Sequence, residues 1–438
     1  MQVLYISQYY PPEACAPSAR VDAFTRLWTG AGAEVGVLTG FPNHPEGIVH
    51  AEYRKAWRRA FLREERAGVK VYRTWLYPSA NRKLWGRGAN FTSFALSAAV
   101  AGFHVAPRNG VVIATSPQIL VGLSGWALGT ARLLPWVFEV RDLWPESLVG
   151  VGQATARSPL YRGVRRIADF LYRRATHIVV DGEWKRRYLI HQGVEERKIS
   201  VIRNGVEEDF CLDPDSAGAR AARLQLRKEL GLGDELVLLY AGTLGMAHGL
   251  ETILEAAERL RDRRDIAFVL IGAGAERAQL RDRVERMRLP TVRLMDKQPR
   301  EKIPAYLAAA DACLVPLRNQ EVFKSAVPSK MFEAMAAGRP VILGVEGEAK
   351  EILLASASGL PVRPEDPEAT VAAILRLRNE PALGPTLGQN GRRAVLEKHL
   401  RRAEAAHYLN LLCELCARER LVTARKPADL AERFLESP

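Results

Sequence analysis

The chain of 438 residues is 47% hydrophobic and 26% charged, with 63 Lys+Arg against 50 Asp+Glu for a net charge of +13. That is enough apolar material for two or three domains. No run nears the ~18 apolar residues that a membrane-spanning helix needs; the longest, 94–106, is broken by Ser97, Gly102 and His104.

The opening MQVLYISQYYPPE has no basic stretch ahead of an apolar core. It reads as a buried strand and a loop rather than a signal peptide, so a cytoplasmic protein is expected. The charge is uneven: residues 1–210 hold 28 Lys+Arg and 18 Asp+Glu, and residues 211–438 hold 35 and 32. A basic first half implies an anionic partner there: phospholipid, lipid-linked phosphate or nucleic acid. Five cysteines fit a reducing compartment. Cys413 and Cys416 lie in the helical pattern LNLLCELCARER with no second C-x-x-C. They read as small buried residues on one helix face rather than metal ligands.

In chain order, short β-branched runs at 3–7, 34–39, 69–75, 111–115, 135–140, 177–180 and 199–202 alternate with amphipathic helical stretches. After a pause the pattern resumes at 236–240, 267–271, 292–295, 312–316, 340–343 and 360–362. Near-continuous runs such as VLLY and VIL suit strands covered on both faces, and strand–helix alternation implies parallel sheets. The expected fold class is α/β, with two doubly wound, Rossmann-like domains facing across a cleft. Ligands of such sheets sit at the carboxyl ends of the strands. The pause contains DPDSAGARAAR and ends at GLGD. It sets the expected boundaries: a first domain at 1–210, a linker at 211–234, a second domain at 235–395 and terminal helices at 396–438.

The loop after the first strand is PPEACAPSAR. Ala14, Cys15 and Ala16 are small enough for a ligand to approach. Ser18 followed by Val21, Phe24 and Trp28 reads as a capped amphipathic helix. Segments 53–64 and 81–91 mix Arg54, Lys55, Arg58, Arg59, Arg63, Arg82, Lys83 and Arg87 with Trp57, Trp85 and Phe91. They fit either contact with an anionic membrane or a solvated basic face over core tryptophans. Nucleic acid ranks below both, because the later motifs point to a nucleotide sugar. After the fifth strand comes VRDLWPES. Arg141 does not lose its proton and is no general base. Asp142 can orient a hydroxyl or accept its proton, or it pairs structurally with Arg141 or a backbone amide. The D-x-D at Asp213-Pro214-Asp215 reads as a solvated turn, so no metal is expected.

The second half opens with LVLLYAGTLGMAHGLETILEAAERL, a buried strand running into Gly242, Gly245 and Gly249 and then a helix. This is either a phosphate cradle or an ordinary glycine-bearing turn. FVLIGAGAERAQL offers Gly272 and Gly274, but Arg277 stands where a dinucleotide fingerprint needs a third glycine. A second backbone cradle for the same ligand therefore fits better than NAD. In AVPSKMFEAMAAGRPVILG, Pro328 suits a first helical turn, Lys330 and Glu333 share a helix face, and Gly338 ends the helix. Lys330 can neutralise a diphosphate and Glu333 can accept hydrogen bonds from a ribose diol; the bland reading is a surface ion pair.

The run YAG-x-x-G-x-x-x-G-L, the IGAG loop, the DACLVPL strand and PSKMFEAMAAGRPVI resemble the family-four retaining glycosyltransferases of the GT-B fold. QYYPPE, LTGFPNHPEG, VRDLWPES and VIRNGVEEDF are similar to the L-fucosamine-type branch that makes bacterial surface polysaccharides. The resemblance covers nearly the whole chain. It implies that Glu333 holds the donor ribose, that Gly242, Gly245, Gly249, Gly272 and Gly274 surround diphosphate and sugar, and that the base rests near Lys297. It places Tyr10, Ala14, Cys15, Ala16 and Arg141 on the acceptor side, with Asp142, Lys330 and Glu333 catalytic. It implies that the terminal helices cross back to the first domain. Ser325, Thr243 and His248 stand where the broad family has a glutamate and two cations. Lys330, then Arg318 and Lys324, become the candidate cations for the leaving diphosphate.

The implied activity is retaining transfer of a sugar, an N-acetylated amino sugar among the candidates, from a nucleotide sugar of the UDP type. The implied acceptor is a lipid-linked or growing glycan at the inner face of the plasma membrane. No cofactor, metal or nucleic acid is expected. A sugar-nucleotide epimerase of the same fold and a non-catalytic partner subunit remain as alternatives, with an NAD oxidoreductase behind them.

Overall fold

The computed structural model describes residues 1–13, 15–80, 84–150, 152 and 154–420. The chain divides into two units: Met1–Asn204 with the helix Arg401–Arg420, and Gly205–Leu400.

The first unit is built on eight strands: β1 Gln2–Ile6, β2 Glu34–Gly40, β3 Phe61–Arg66, β4 Val69–Thr74, β5 Val111–Thr115, β6 Trp136–Val140, β7 His177–Val180 and β8 Ile199–Val201. Their order is β3-β4-β2-β1-β5-β6-β7-β8. All neighbours are parallel except the β3–β4 pair. The central strands β5 and β6 are buried at every residue: β5 is an apolar run closed by Thr115, and β6 is apolar except for the buried Glu139. One face of the sheet packs Leu4, Ile6, Val112 and Phe138 against Phe94, Leu128 and Leu171. The other packs Val3, Tyr5, Val35 and Val111 against Phe24, Trp28, Tyr408 and Leu412. On that second face Trp28 donates its indole N–H to the Ala405 carbonyl at 2.8 Å, which ties the last described helix to this unit.

The second unit has six parallel strands: β9 Leu236–Ala241, β10 Ile266–Ile271, β11 Val292–Met295, β12 Ala312–Pro316, β13 Val341–Gly344 and β14 Gly359–Pro361. They run in the order β11-β10-β9-β12-β13-β14. Strand order reverses between β1 and β5 in the first unit and between β9 and β12 in the second. Such switch points open a crevice at the carboxyl ends of the strands, and the loops carrying the sequence motifs emerge there.

Three readings are corrected. Segment 53–64 ends in a strand that the apolar runs do not mark, β3, an antiparallel edge strand whose FLREER sequence offers no such run. Its Trp57 stacks on Trp75 at 6.3 Å and donates to the Leu76 carbonyl, so it belongs to the packed side. Residues 211–234 are no free linker. They hold the helix Ala217–Glu229, whose Arg223 and Arg227 clamp the Asp311 carboxylate at 2.6 and 2.5 Å in the second unit. The first helix, Ala16–Gly30, starts before Ser18, which is buried within it, and its N-cap Cys15 makes no side-chain cap. Asp213 and Asp215 do form an exposed turn, with the Asp213 carboxylate accepting from the Asp215 amide at 3.1 Å.

Candidate active site

In the second unit the decisive segment is the short helix Ser329–Ala336, with Pro328 immediately before it in an extended conformation rather than inside the first turn. Met331, Phe332, Ala334 and Met335 face the core. Packing them fixes the helix, leaving Lys330 and Glu333 on the opposite side. Lys330 turns inward: its ammonium donates to the Tyr240 hydroxyl at 2.8 Å and sits 4.0 Å from the centre of that ring. The Tyr240 hydroxyl in turn donates to the Thr243 carbonyl at 2.6 Å. Among the described residues no carboxylate comes within ion-pair distance of Lys330. Burial pulls its amine down to about 7, opposed by the smaller lift from Glu333.

The glycine turn after β9 is shaped around this lysine. A Cβ on Gly242 would stand 2.7 Å from the Lys330 ammonium. Gly249 has φ +56, the left-handed region that favours glycine. A Cβ on Gly272 would meet the Gly242 carbonyl at 1.9 Å, and one on Gly274 the Leu244 carbonyl at 2.1 Å. These two glycines are therefore demanded by the neighbouring loop, which bonds through the Leu244 amide to the Ala273 carbonyl. Gly245 is different: a Cβ there meets only Thr243 at 3.4 Å, leaving its outer side open. His248 sits edge-on to Tyr240 and gives a ring N–H to the Pro316 carbonyl. Burial and the nearby Lys330 drop its pKa to about 3, so it is neutral at ordinary pH.

Glu333 is held by a residue that sequence reasoning missed. Arg300 donates to its carboxylate at 3.3 Å and to Glu207 at 3.4 Å, with the guanidinium 4.8 Å over the Phe210 ring. Burial pulls Arg300 down, but Glu333 and Glu207 outweigh it and its pKa rises. Nothing local in the sequence links positions 207, 300 and 333; only the fold brings them together.

The other candidate cations are engaged elsewhere. Arg318 donates to the Met246 carbonyl at 2.5 Å and lies 3.3, 3.7 and 3.9 Å from Glu251, Glu276 and Glu365. It braces the turn 246–248 rather than standing free for a phosphate. Lys324 pairs with Glu321 at 2.7 Å, Ser325 is buried and donates to the Val322 carbonyl, and Lys297 and Thr243 are exposed.

In the first unit, the loops at the β1/β5 switch point rest on a buried network. Arg20 donates to Glu139 at 2.8 Å and to the Ile202 and Arg203 carbonyls and the Asn204 side chain at 2.9, 2.9 and 3.0 Å. The Tyr5 hydroxyl donates to the other Glu139 oxygen. Burial raises the Glu139 carboxyl, but Arg20 and Arg141 outweigh it and hold it ionised. The buried Ser116 hydroxyl accepts from the Arg141 and Asp142 amides at 2.8 and 3.2 Å, which sets the direction of both side chains. Asp142 is exposed, and no bond joins its carboxylate to Arg141 or an amide among the described residues. The protein packed around it raises its pKa against Lys185 and Arg141, and its open surface limits that rise. Arg141 keeps Nε and one terminal nitrogen buried without a partner among the described residues.

Of the loop residues, Ala16 is exposed and Cys15 half-buried, while Ala14 lies outside the described residues. Tyr10 is corrected: it is fully buried, its hydroxyl 3.4 Å from Thr25, and its ring packs in the core, so it offers no side chain to an acceptor.

Residues 16–205 match the glycosyl transferase 4-like domain, and residues 235–380 match the glycosyl transferases group 1 domain. The chain belongs to the group 1 glycosyltransferases. WcaI of Escherichia coli K12, named for colanic acid biosynthesis, is 27% identical over 396 residues, covering 85% of this chain and 91% of that protein. WbjE of Pseudomonas aeruginosa, named as a glycosyltransferase, is 28% identical over 307 residues, 68% of this chain and 74% of the relative. Among solved structures, sucrose-phosphate synthase from Thermosynechococcus elongatus superposes with a TM-score of 0.75 at 22% identity, covering 95% of this chain and 99% of that one. Anabaena HepE, solved with UDP and glucose, superposes with 0.69 at 16% identity over 94% and 99%. These likenesses establish the GT-B fold, with one Rossmann-like sheet in each unit. No described helix is long and apolar enough to cross a membrane.

Proposed function

We propose that this group 1 glycosyltransferase moves a sugar, with retained anomeric configuration, from a UDP-type nucleotide sugar to a lipid-linked or growing glycan of a bacterial surface polysaccharide. The observation that carries the reading is the inward Lys330 ammonium, unpaired by any carboxylate among the described residues, beside Gly242 and the open Gly245, with Glu333 one turn further along the same helix. A desolvated cation with no anion of its own is a site for an anionic ligand. The names of WcaI and the UDP-bound HepE support the polysaccharide and donor assignments.

In this reading Lys330 meets the charge that grows on the departing diphosphate, and the Gly245 amide of the neighbouring turn adds a donor to it. Glu333, steadied by Arg300, accepts hydrogen bonds from the ribose hydroxyls. Asp142 orients the acceptor hydroxyl, which attacks from the face that the diphosphate leaves, and the diphosphate oxygen helps to take the proton. Lys330 rather than a metal ion carries the phosphate charge, and the enzyme works at the inner face of the plasma membrane.

The test is incubation of the purified chain with UDP-sugars and a lipid-diphosphate-linked sugar. Product with the donor's anomeric configuration by NMR supports the reading. Inverted product overturns the mechanism, and an epimer formed from donor alone overturns the transferase assignment.

A further inference from the structure

We propose that one helical face of the first unit, made by Leu84–Val105, Val121–Arg132 and Pro159–Arg174, docks flat onto an anionic lipid bilayer. The purpose of this contact rests on the lipid-linked acceptor proposed above; its evidence and its test do not.

The three helices cover the same side of the eight-stranded sheet. Phe94 and Ala98 of the first, Val121 and Leu128 of the second, and Ala168 and Leu171 of the third share one core cluster. Their outer surfaces are unusual. Trp85 is 87% exposed, Leu96 65% and Val100 66%, and Phe103, Leu133 and Leu160 are exposed as well. Leu96, Val100 and Phe103 follow at helical spacings of four and three, and Trp85 lies three turns before Leu96, so they form one stripe. No Asp, Glu, Lys or Arg occurs between Arg87 and Arg108. In the second unit the exposed large apolar residues, Leu224, Met246, Leu354 and Leu396, belong to four separate elements and form no such row.

Charge identifies the occupant. The three helices carry seven arginines and a single acid, Asp169, which Arg165 already holds at 3.3 Å. Arg132, Arg162, Arg166, Arg173 and Arg174 are exposed. A second copy of the chain would set arginine against arginine. Nucleic acid would pair with the arginines and leave the apolar stripe in water. A bilayer with anionic headgroups satisfies both: the stripe enters the acyl boundary and the guanidinium groups stay among the phosphates. None of these helices is apolar enough to span, so the face lies on the membrane.

Flotation of the full-length protein with phosphatidylcholine vesicles, with and without phosphatidylglycerol, tests this. Native protein is expected to float with the phosphatidylglycerol vesicles, weakly with phosphatidylcholine alone, and to be released by high salt. Leu96→Ser with Val100→Ser, and separately Arg162→Glu with Arg166→Glu, are each expected to weaken binding at least about tenfold without moving the thermal midpoint. Equal binding by either pair, or no native binding to anionic vesicles, overturns the proposal. So does a native dimer that the serine pair dissociates, because that assigns the stripe to a second copy. No sugar is present in the assay, so a protein that floats but transfers nothing refutes the proposed reaction and leaves the membrane face standing.

Discussion

The Lys330 ammonium and the Tyr240 ring are one unit: the cation lies 4.0 Å from the ring centre and donates to the hydroxyl at 2.8 Å. The ring attracts the charge through its face, and the hydroxyl fixes the reach of a long, otherwise mobile side chain. Tyr240→Phe keeps the first contribution and removes the second. The expected result is a folded enzyme whose KM for donor rises about fivefold, worth ~1 kcal/mol, while kcat changes less. An unchanged KM would mean that the hydroxyl does not position Lys330.

Donor binding should take up a proton. Burial brings Lys330 to about 7 in the free protein, so most of it is neutral at about pH 8. A bound diphosphate favours the ammonium and lifts its pKa again. The bound state then holds more protons, and affinity falls as pH rises above 7. His248, already at about 3, stays neutral and takes no part. Calorimetry of UDP binding at pH ~8 in two buffers of different ionisation enthalpy should show uptake approaching one proton in the native protein and none in Lys330→Met. Buffer-independent heats in the native protein would contradict this.

The glycines separate into two kinds. Gly272→Ala drives a Cβ to 1.9 Å from the Gly242 carbonyl and should cost about 2 kcal/mol or more of stability. Gly245→Ala meets only Thr243 at 3.4 Å, so its thermal midpoint should hold. If a ligand approaches that backbone, its donor affinity should nevertheless drop. Comparing midpoint and affinity across the two variants distinguishes packing from ligand contact, and loss of neither in Gly245→Ala would remove that residue from the site.

Arg20→Ala leaves the Glu139 carboxylate buried beside Tyr5 without its main counter-charge. The expected loss is about 3–5 kcal/mol in the unfolding transition of the first unit. Denaturant unfolding should show a smaller loss for Arg20→Ala when Glu139→Gln is also present. Additive losses would show that the two side chains are energetically independent.

Much of this architecture is written in local sequence, and some of it is not. The strands buried on both faces are β-branched runs, so β5 and β7 are found at their observed ends. Strand β3 escapes because an exposed edge strand of charged residues has no period or apolar content to betray it. The helix Ala217–Glu229 escapes because its anchors are Arg223 and Arg227, which look like solvent-facing residues until Asp311 is placed beside them. The site divides in the same way. Lys330 and Glu333 are legible as a three-residue spacing on a helix, whereas Arg300 reaches Glu333 only through tertiary structure. Arg318 and Lys324 have the right charge for a phosphate, but sequence does not reveal the glutamates that occupy them.

Turnover of nucleotide sugar by Lys330→Ala and Glu333→Ala, measured beside native protein with matched thermal midpoints, decides whether this helix is the donor site. Losses of about a hundredfold or more in each folded variant are predicted, since one removes the charge facing the leaving group and the other the ribose anchor. Near-native rates in both would place the chemistry elsewhere in the molecule.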